Sequence, residues 1–316
     1  MARWKARKVV IIGAGAVGST FAYALAQNGA ADEIVLTDKD ERLAEGQTLD
    51  LAHGLPFYPN VQIRTGNKHD YRDAHVIVIT AGAKQQSGET RLQLLQRNVR
   101  IIQGIMDEIR EDSDAVVVMV TNPVDVLTFA AQRYAQWPRG RIIGSGTVLD
   151  SARFRYLLSR HCEIDVHNIH AYILGEHGDS QFAAWSISHI AGMPFNDYCC
   201  ICGKCQDWRE ERRKIEERVR RSAYHIIDYK GATYFGVGQA LVRIVSAIIR
   251  NEKSVLPISV VLEGEYGLRD VCLSVPAVVG EAGAERILEW KLSTEENAYL
   301  HRSAAILREA IRQALE

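Results

Sequence analysis

Gly13-Ala14-Gly15-Ala16-Val17-Gly18 stands directly after the apolar run Lys8–Ile12 and opens an apolar helical pattern. A bare G-x-G-x-x-G is weak evidence, but here it has the strand–turn–helix setting that its chemistry needs. The first glycine makes a tight turn, the second lets the backbone approach a pyrophosphate, and the third lets helix pack on strand. The helix N-terminus then presents unpaired N–H groups to the phosphates. Asp38 ends the next apolar run, twenty residues after Gly18. A carboxylate there accepts both hydroxyls of an adenosine ribose and repels a 2′-phosphate, which favours NAD over NADP.

Outward from this turn, short Val- and Ile-rich runs recur near 34–36, 61–63, 76–79, 115–120 and 141–143, with helical patterns between them. Such runs read as buried parallel strands. The expected fold is therefore α/β: an N-terminal Rossmann doubly wound parallel sheet with right-handed crossovers. After residue 150 the rhythm changes. A long helix is expected from about 149, strand-like pieces around 169–174, and a strongly charged helix over about 208–229. A more apolar helix is expected over about 234–250, antiparallel strands over 255–262 and 271–274, and an amphipathic helix from about 294. We read residues 1–147 as an NAD-binding domain and 148–316 as an α+β catalytic and substrate domain, with the site between them.

The 38 basic and 39 acidic residues nearly cancel, so no strong field favours nucleic acid or a membrane surface. No apolar run approaches the ~18 residues of a membrane span. The N-terminus leads straight into a strand-like run, and the expectation is a soluble cytoplasmic protein. Four of the six cysteines crowd into positions 199–205. Adjacent cysteines are unlike paired zinc ligands, so we expect reduced thiols in a loop or short edge segment, and no metal.

Leu174-Gly175-Glu176-His177-Gly178-Asp179-Ser180 resembles the signature of the lactate/malate dehydrogenase superfamily. Thr121-Asn122-Pro123-Val124-Asp125, Leu149-Asp150-Ser151-Ala152-Arg153-Phe154-Arg155 and Lys230-Gly231-Ala232-Thr233 extend the similarity, in one order, from about residue 8 to the C-terminal helix. The block 199–208 matches least. The resemblance implies hydride transfer between a nicotinamide and a small 2-keto acid. That chemistry needs a proton donor for the carbonyl oxygen and a cation for the carboxylate. His177 suits the first because its intrinsic pKa lies near working pH. Asp150 and Arg153, three apart on a helix, share a face. By resemblance Asp150 fixes the His177 tautomer, and Arg153 grips the substrate carboxylate with its planar fork. From the residues alone, an intrahelical Asp–Arg ion pair is the commoner fate of this spacing.

Residues 81–91 are Gly-bearing and polar, with the makings of a lid. In the family the Arg at position 91 swings in and polarises the ketone. Gln85 matches the position facing the variable end of the substrate. Malate dehydrogenases have Arg there, whereas a neutral Gln leaves a second carboxylate unpaired. With Thr233 beside the methyl end, and Asn122 near nicotinamide and substrate oxygen, this points to pyruvate and lactate. The expected cofactor contacts are Gly13, Gly15, Val17, Gly18, Asp38, Thr80, Gly82 and Asn122.

Arg155, two residues from Arg153, points about 160° away around the helix and cannot serve the same pocket. In bacterial members of the superfamily, Arg and His at positions 155 and 170 bind fructose 1,6-bisphosphate on a subunit twofold axis. The helical stretch 43–55 corresponds to a helix that packs on another subunit, which implies a homotetramer. Rival readings are a dehydrogenase for malate or another 2-hydroxy acid, and a non-catalytic NAD-binding protein used for structure or redox sensing.

Overall fold

The computed structural model describes residues 6–84, 86, 88–109, 113–203 and 207–315, the Cys200 side chain aside. The first half alternates strand and helix: β1 Lys8–Ile12, α1 Ala16–Asn28, β2 Glu33–Thr37, α2 Glu41–His53, β3 Gln62–Thr65, β4 Val76–Ile79, α3 Arg91–Glu108, β5 Val116–Met119, α4 Val124–Ala135 and β6 Ile142–Gly144. These six strands are parallel and lie in the order β3-β2-β1-β4-β5-β6. The order reverses between β1 and β4, the point where α/β sheets bind ligands beyond their carboxyl ends.

Burial on both faces explains the unbroken apolar runs. Alternate residues of β4 divide between two cores: Ile77 and Ile79 pack with α3 and α4, whereas Val76 and Val78 pack with α1. Helix α3 starts at a capping box in which Thr90 and Gln93 satisfy each other's backbone N–H groups.

The second half runs α5 Val148–Cys162, β7 Ile169–His170, β8 Ile173–Leu174, β9 Phe182–Ala183, β10 His189–Ile190, β11 Met193–Pro194, α6 Phe195–Ile201, α7 Trp208–Lys230, α8 Phe235–Ile249, β12 Ser254–Glu263, β13 Arg269–Gly280, β14 Gly283–Ile287 and α9 Thr294–Leu315. Strands β12 to β14 are antiparallel and extend the parallel sheet past β6, giving nine strands in one sheet among the described residues. Helix α8 joins α1 on one face, and α9 joins α3 and α4 on the other.

Two expectations are corrected. The strand expected over 271–274 runs from Arg269 to Gly280 and turns into a further strand, β14. Its edge residues Glu285 and Arg286 broke the apolar pattern. The strand-like pieces expected around 169–174 are present as two strands in different sheets: β7 pairs with β10, and β8 with β9. Cys199 lies in helix α6 rather than in a loop or short edge segment. There Phe195 and Cys199, four apart, share the face buried against α5 and α7. Cys205 lies outside the described residues, and Cys162, Cys199, Cys202 and Cys272 form no disulfide among the described residues.

Helix α7 is polar nearly all round. It buries Ile215 and Val219 and carries the intrahelical pairs Glu210–Arg213, Glu211–Lys214 and Glu217–Arg220. Among the described residues no helix is long and apolar enough to cross a membrane. Nor does any group of three or more His, Cys, Asp or Glu there form a metal site.

Candidate active site

The glycine turn sits at the switch point. Gly13 adopts φ 111°, open chiefly to glycine, and the Thr80 hydroxyl after β4 donates to its carbonyl oxygen at 2.9 Å. A Cβ on Gly18 would overlap that same carbonyl. A Cβ on Gly15, by contrast, would meet nothing within 4 Å. Helix α1 begins there with no side-chain cap and no acid in its first turn, so its N–H groups are free for an anion. A dinucleotide pyrophosphate fits this opening. Asp38 follows β2, and its carboxylate accepts N–H groups of Ala14 at 2.8 Å and Asp40 at 3.0 Å, leaving lone pairs for ribose hydroxyls. Val17 is partly buried, and Gly82 packs so closely on Thr121 that a side chain there would clash.

The second half of the site is a pinned loop. Ser151 of α5 accepts the N–H of Ile173 at 2.9 Å, which fixes the start of β8. Gly175, at φ 90°, exchanges backbone bonds with Ser274 of β13 at 3.0 and 2.8 Å. Ser303 of α9 then accepts the Glu176 N–H at 2.9 Å, and Asp125 of α4 accepts the His177 N–H at 2.7 Å. Helices α4, α5 and α9 thus converge on five residues of backbone.

This places Nδ1 of His177 2.6 Å from Oδ2 of Asp150. Asp150 is buried, and its other oxygen accepts from Arg153 at 2.9 Å. The intrahelical ion pair is therefore real and coexists with the His contact. Nε2 of His177 has no hydrogen-bond partner among the described residues. Burial disfavours the imidazolium, but the charge and hydrogen bond of Asp150, with the charge of Asp125, outweigh it and hold His177 above the ordinary histidine range. Burial likewise works against the Asp150 carboxylate, but His177 and Arg153 prevail and keep it below the usual carboxylate value. The pair therefore favours Asp⁻ with HisH⁺, a poised proton donor.

Arg91 is the exposed first residue of α3, and its charge reaches the Tyr224 hydroxyl, which donates to Asp179 at 3.1 Å. Asn122 is exposed beyond the carboxyl end of β5, and Thr233 is partly buried between α7 and α8. Gln85 lies outside the described residues. Arg155 and His170 form no hydrogen bond with each other. His170 is exposed, while the Arg155 Nε is buried without a partner among the described residues, and burial lowers the Arg155 pKa.

The sequence reading missed Asp125, Ser259 and Ser303. Asp125 lay in a quoted motif. Its only local signal was an acid in the first turn of a helix, which ordinarily serves the helix dipole.

A dinucleotide cradle joined to a buried Asp–His pair with an adjacent Arg defines a nicotinamide-dependent oxidoreductase of the hydride-transfer class. Residues 7–144 match the lactate/malate dehydrogenase NAD binding domain, and residues 147–316 the alpha/beta C-terminal domain of the same family. The chain belongs to the lactate/malate dehydrogenase family. It is 59% identical to an L-lactate dehydrogenase of Treponema denticola over 97% of this chain and 98% of that one. It is 48% identical to an L-lactate dehydrogenase of Acetivibrio thermocellus, over 97% and 96% of the two chains. Among solved structures it resembles a lactate dehydrogenase from a Medee basin deep-sea metagenome library, with a TM-score of 0.95 at 42% identity over 99% and 100% of the chains. A minor L-lactate dehydrogenase from Enterococcus mundtii in its ligands-bound form gives a TM-score of 0.94 at 38% identity, over 97% and 98%.

Proposed function

We propose that this chain is an L-lactate dehydrogenase, interconverting pyruvate and NADH with L-lactate and NAD. The observation that carries this reading is Asp150 bridging His177 and Arg153, one carboxylate oxygen to each. The family and the printed names of the relatives support it.

NADH, when bound, supplies the hydride. His177 delivers the proton to the carbonyl oxygen from Nε2, and Asp150 stabilises its charged form and fixes its tautomer. The free N–H groups of Arg153 take the substrate carboxylate in two-point contact. Arg91 closes with the 81–91 segment and steadies negative charge developing on the oxygen. Gln85, Thr233 and Asn122 shape the substrate end of the pocket. Gly13, Gly15, Val17, Gly18, Asp38, Thr80, Gly82 and Asn122 hold the cofactor.

The division into an NAD-binding part over 1–147 and a substrate part over 148–316 belongs to this reading, as do a cytoplasmic location and a role in fermentative glycolysis. So does a homotetramer, with α2 as one docking helix. Fructose 1,6-bisphosphate is the proposed effector, held by Arg155 and His170 repeated across a twofold axis. The unpartnered Arg155 Nε supports an anion there.

The test is NADH oxidation with pyruvate and with oxaloacetate. Preference for pyruvate supports the reading; preference for oxaloacetate makes the chain a malate dehydrogenase. NADH binding without turnover of either leaves a dehydrogenase for another 2-hydroxy acid or a non-catalytic NAD-binding protein, which a series of further keto acids separates.

A further inference from the structure

Asp125 is 2% exposed, and each of its carboxylate oxygens is engaged. One accepts the His177 backbone N–H at 2.7 Å, and the other accepts the Ser259 hydroxyl of β12. Ser259 in turn lies 3.3 Å from the Ser274 hydroxyl of β13, the strand that pairs with Gly175. Asp125 thus ties the first turn of α4 to the antiparallel strands and to the residue that carries the imidazole.

A neutral acceptor would hold the same N–H without burying a charge, and buried charge is costly. The Ser259 hydroxyl and the His177 N–H favour that charge, but burial outweighs them. Burial pushes Asp125 up to about 6, the neighbouring Glu176 carboxylate opposes its ionisation, and the opposing cation is the His177 imidazolium. Cys272 of β13, whose thiol is itself pushed up by burial, also faces it. The imidazole is therefore flanked by two carboxylates, Asp150 of α5 at its Nδ1 and Asp125 of α4 behind its backbone, with Arg153 acting against protonation.

We propose that Asp125 is a positioning residue for His177, anchoring its backbone and adding a second buried negative charge that favours the protonated, proton-donating imidazole. This rests on the dehydrogenase reading for its consequence, but the charge coupling itself is testable without turnover.

The experiment compares wild type with Asp125→Asn. Asn can accept the His177 N–H and donate to Ser259, so the anchor is kept and the charge removed. The readout is the pH dependence of His177 modification by diethyl pyrocarbonate, followed by mass spectrometry of its peptide. The neutral imidazole reacts, so the midpoint reports the His177 pKa. In Asp125→Asn the midpoint should fall by about half a pH unit or more, the direction expected when a nearby anion is lost. The alkaline limb of kcat/KM for pyruvate should move down with it, while KM for NADH stays unchanged. Ser259→Ala provides a second arm should the first variant fold poorly. It keeps the acid but removes a donor that favours its ionised form, and should shift the midpoint in the same direction by less. An unmoved midpoint in either folded variant overturns the proposal. A wild type inert toward pyruvate would instead overturn the dehydrogenase reading and leave the midpoint comparison standing.

Discussion

The Asp38 carboxylate accepts the backbone N–H of Ala14 at 2.8 Å, so the acid after β2 braces the glycine turn after β1. The same group is expected to read the ribose. Asp38→Ser should therefore weaken NADH binding and also remove repulsion toward a 2′-phosphate. The NADH-to-NADPH ratio of kcat/KM should fall by roughly tenfold, about 1.4 kcal/mol of discrimination. A ratio that does not change in steady-state assays would remove Asp38 from the ribose site.

His177→Ala should bind NADH almost as the parent does, measured by fluorescence titration. Turnover should drop by roughly two to four orders of magnitude, the usual worth of a general acid. Near-normal turnover would exclude His177 as the proton donor.

Asp150→Asn should act partly through pH. Asp150 holds His177 above its ordinary value. Pyruvate reduction needs the protonated ring, so its rate is retained below the His177 pKa and lost as pH rises through it. Without Asp150 that loss should begin at lower pH. Lactate oxidation, which needs the neutral ring, should extend further to the acid side. Paired pH–rate profiles in both directions check this.

Gln85→Arg should raise activity with oxaloacetate and depress it with pyruvate, because a cation then meets the second carboxylate. The ratio of kcat/KM for the two acids is the measurement. An unmoved ratio would sink the pocket assignment.

Fructose 1,6-bisphosphate should lower the half-saturating pyruvate concentration. Tenfold corresponds to about 1.4 kcal/mol of coupling, ordinary for an effector. Arg155→Gln should abolish the response and spare turnover at saturating pyruvate. A flat titration to millimolar effector at pH 6 and 7.5 would leave Arg155 and His170 without this role.

The parallel half of the fold was legible because strands buried on both faces must be apolar at every position, as in Val76–Ile79. The end of α7 carries a local signal of its own, Gly231 at φ 83°. The edge strand β14 was not, since an edge tolerates Glu and Arg. Asp150 and Arg153 could be paired from spacing alone because they are one turn apart. Asp125 could not be linked to His177, 52 residues away, or to Ser259, 134 residues away, because no local pattern encodes such contacts.

The junction of β6 with β12 is narrow: one residue pair, Gly144 opposite Ser259, where a Cβ on Gly144 would stand 2.8 Å from that of Ser259. Across this seam the sheet passes from parallel to antiparallel without a break. A break in the chain there would leave two fragments, each with a raw strand edge ready to pair with another molecule. The halves should therefore melt together, as one calorimetric endotherm. A chimera that joins this front half to a relative's back half inherits the same demand. Glycine and small hydroxyl have to travel as a matched set, which makes the seam a unit of inheritance rather than a convenient place to cut.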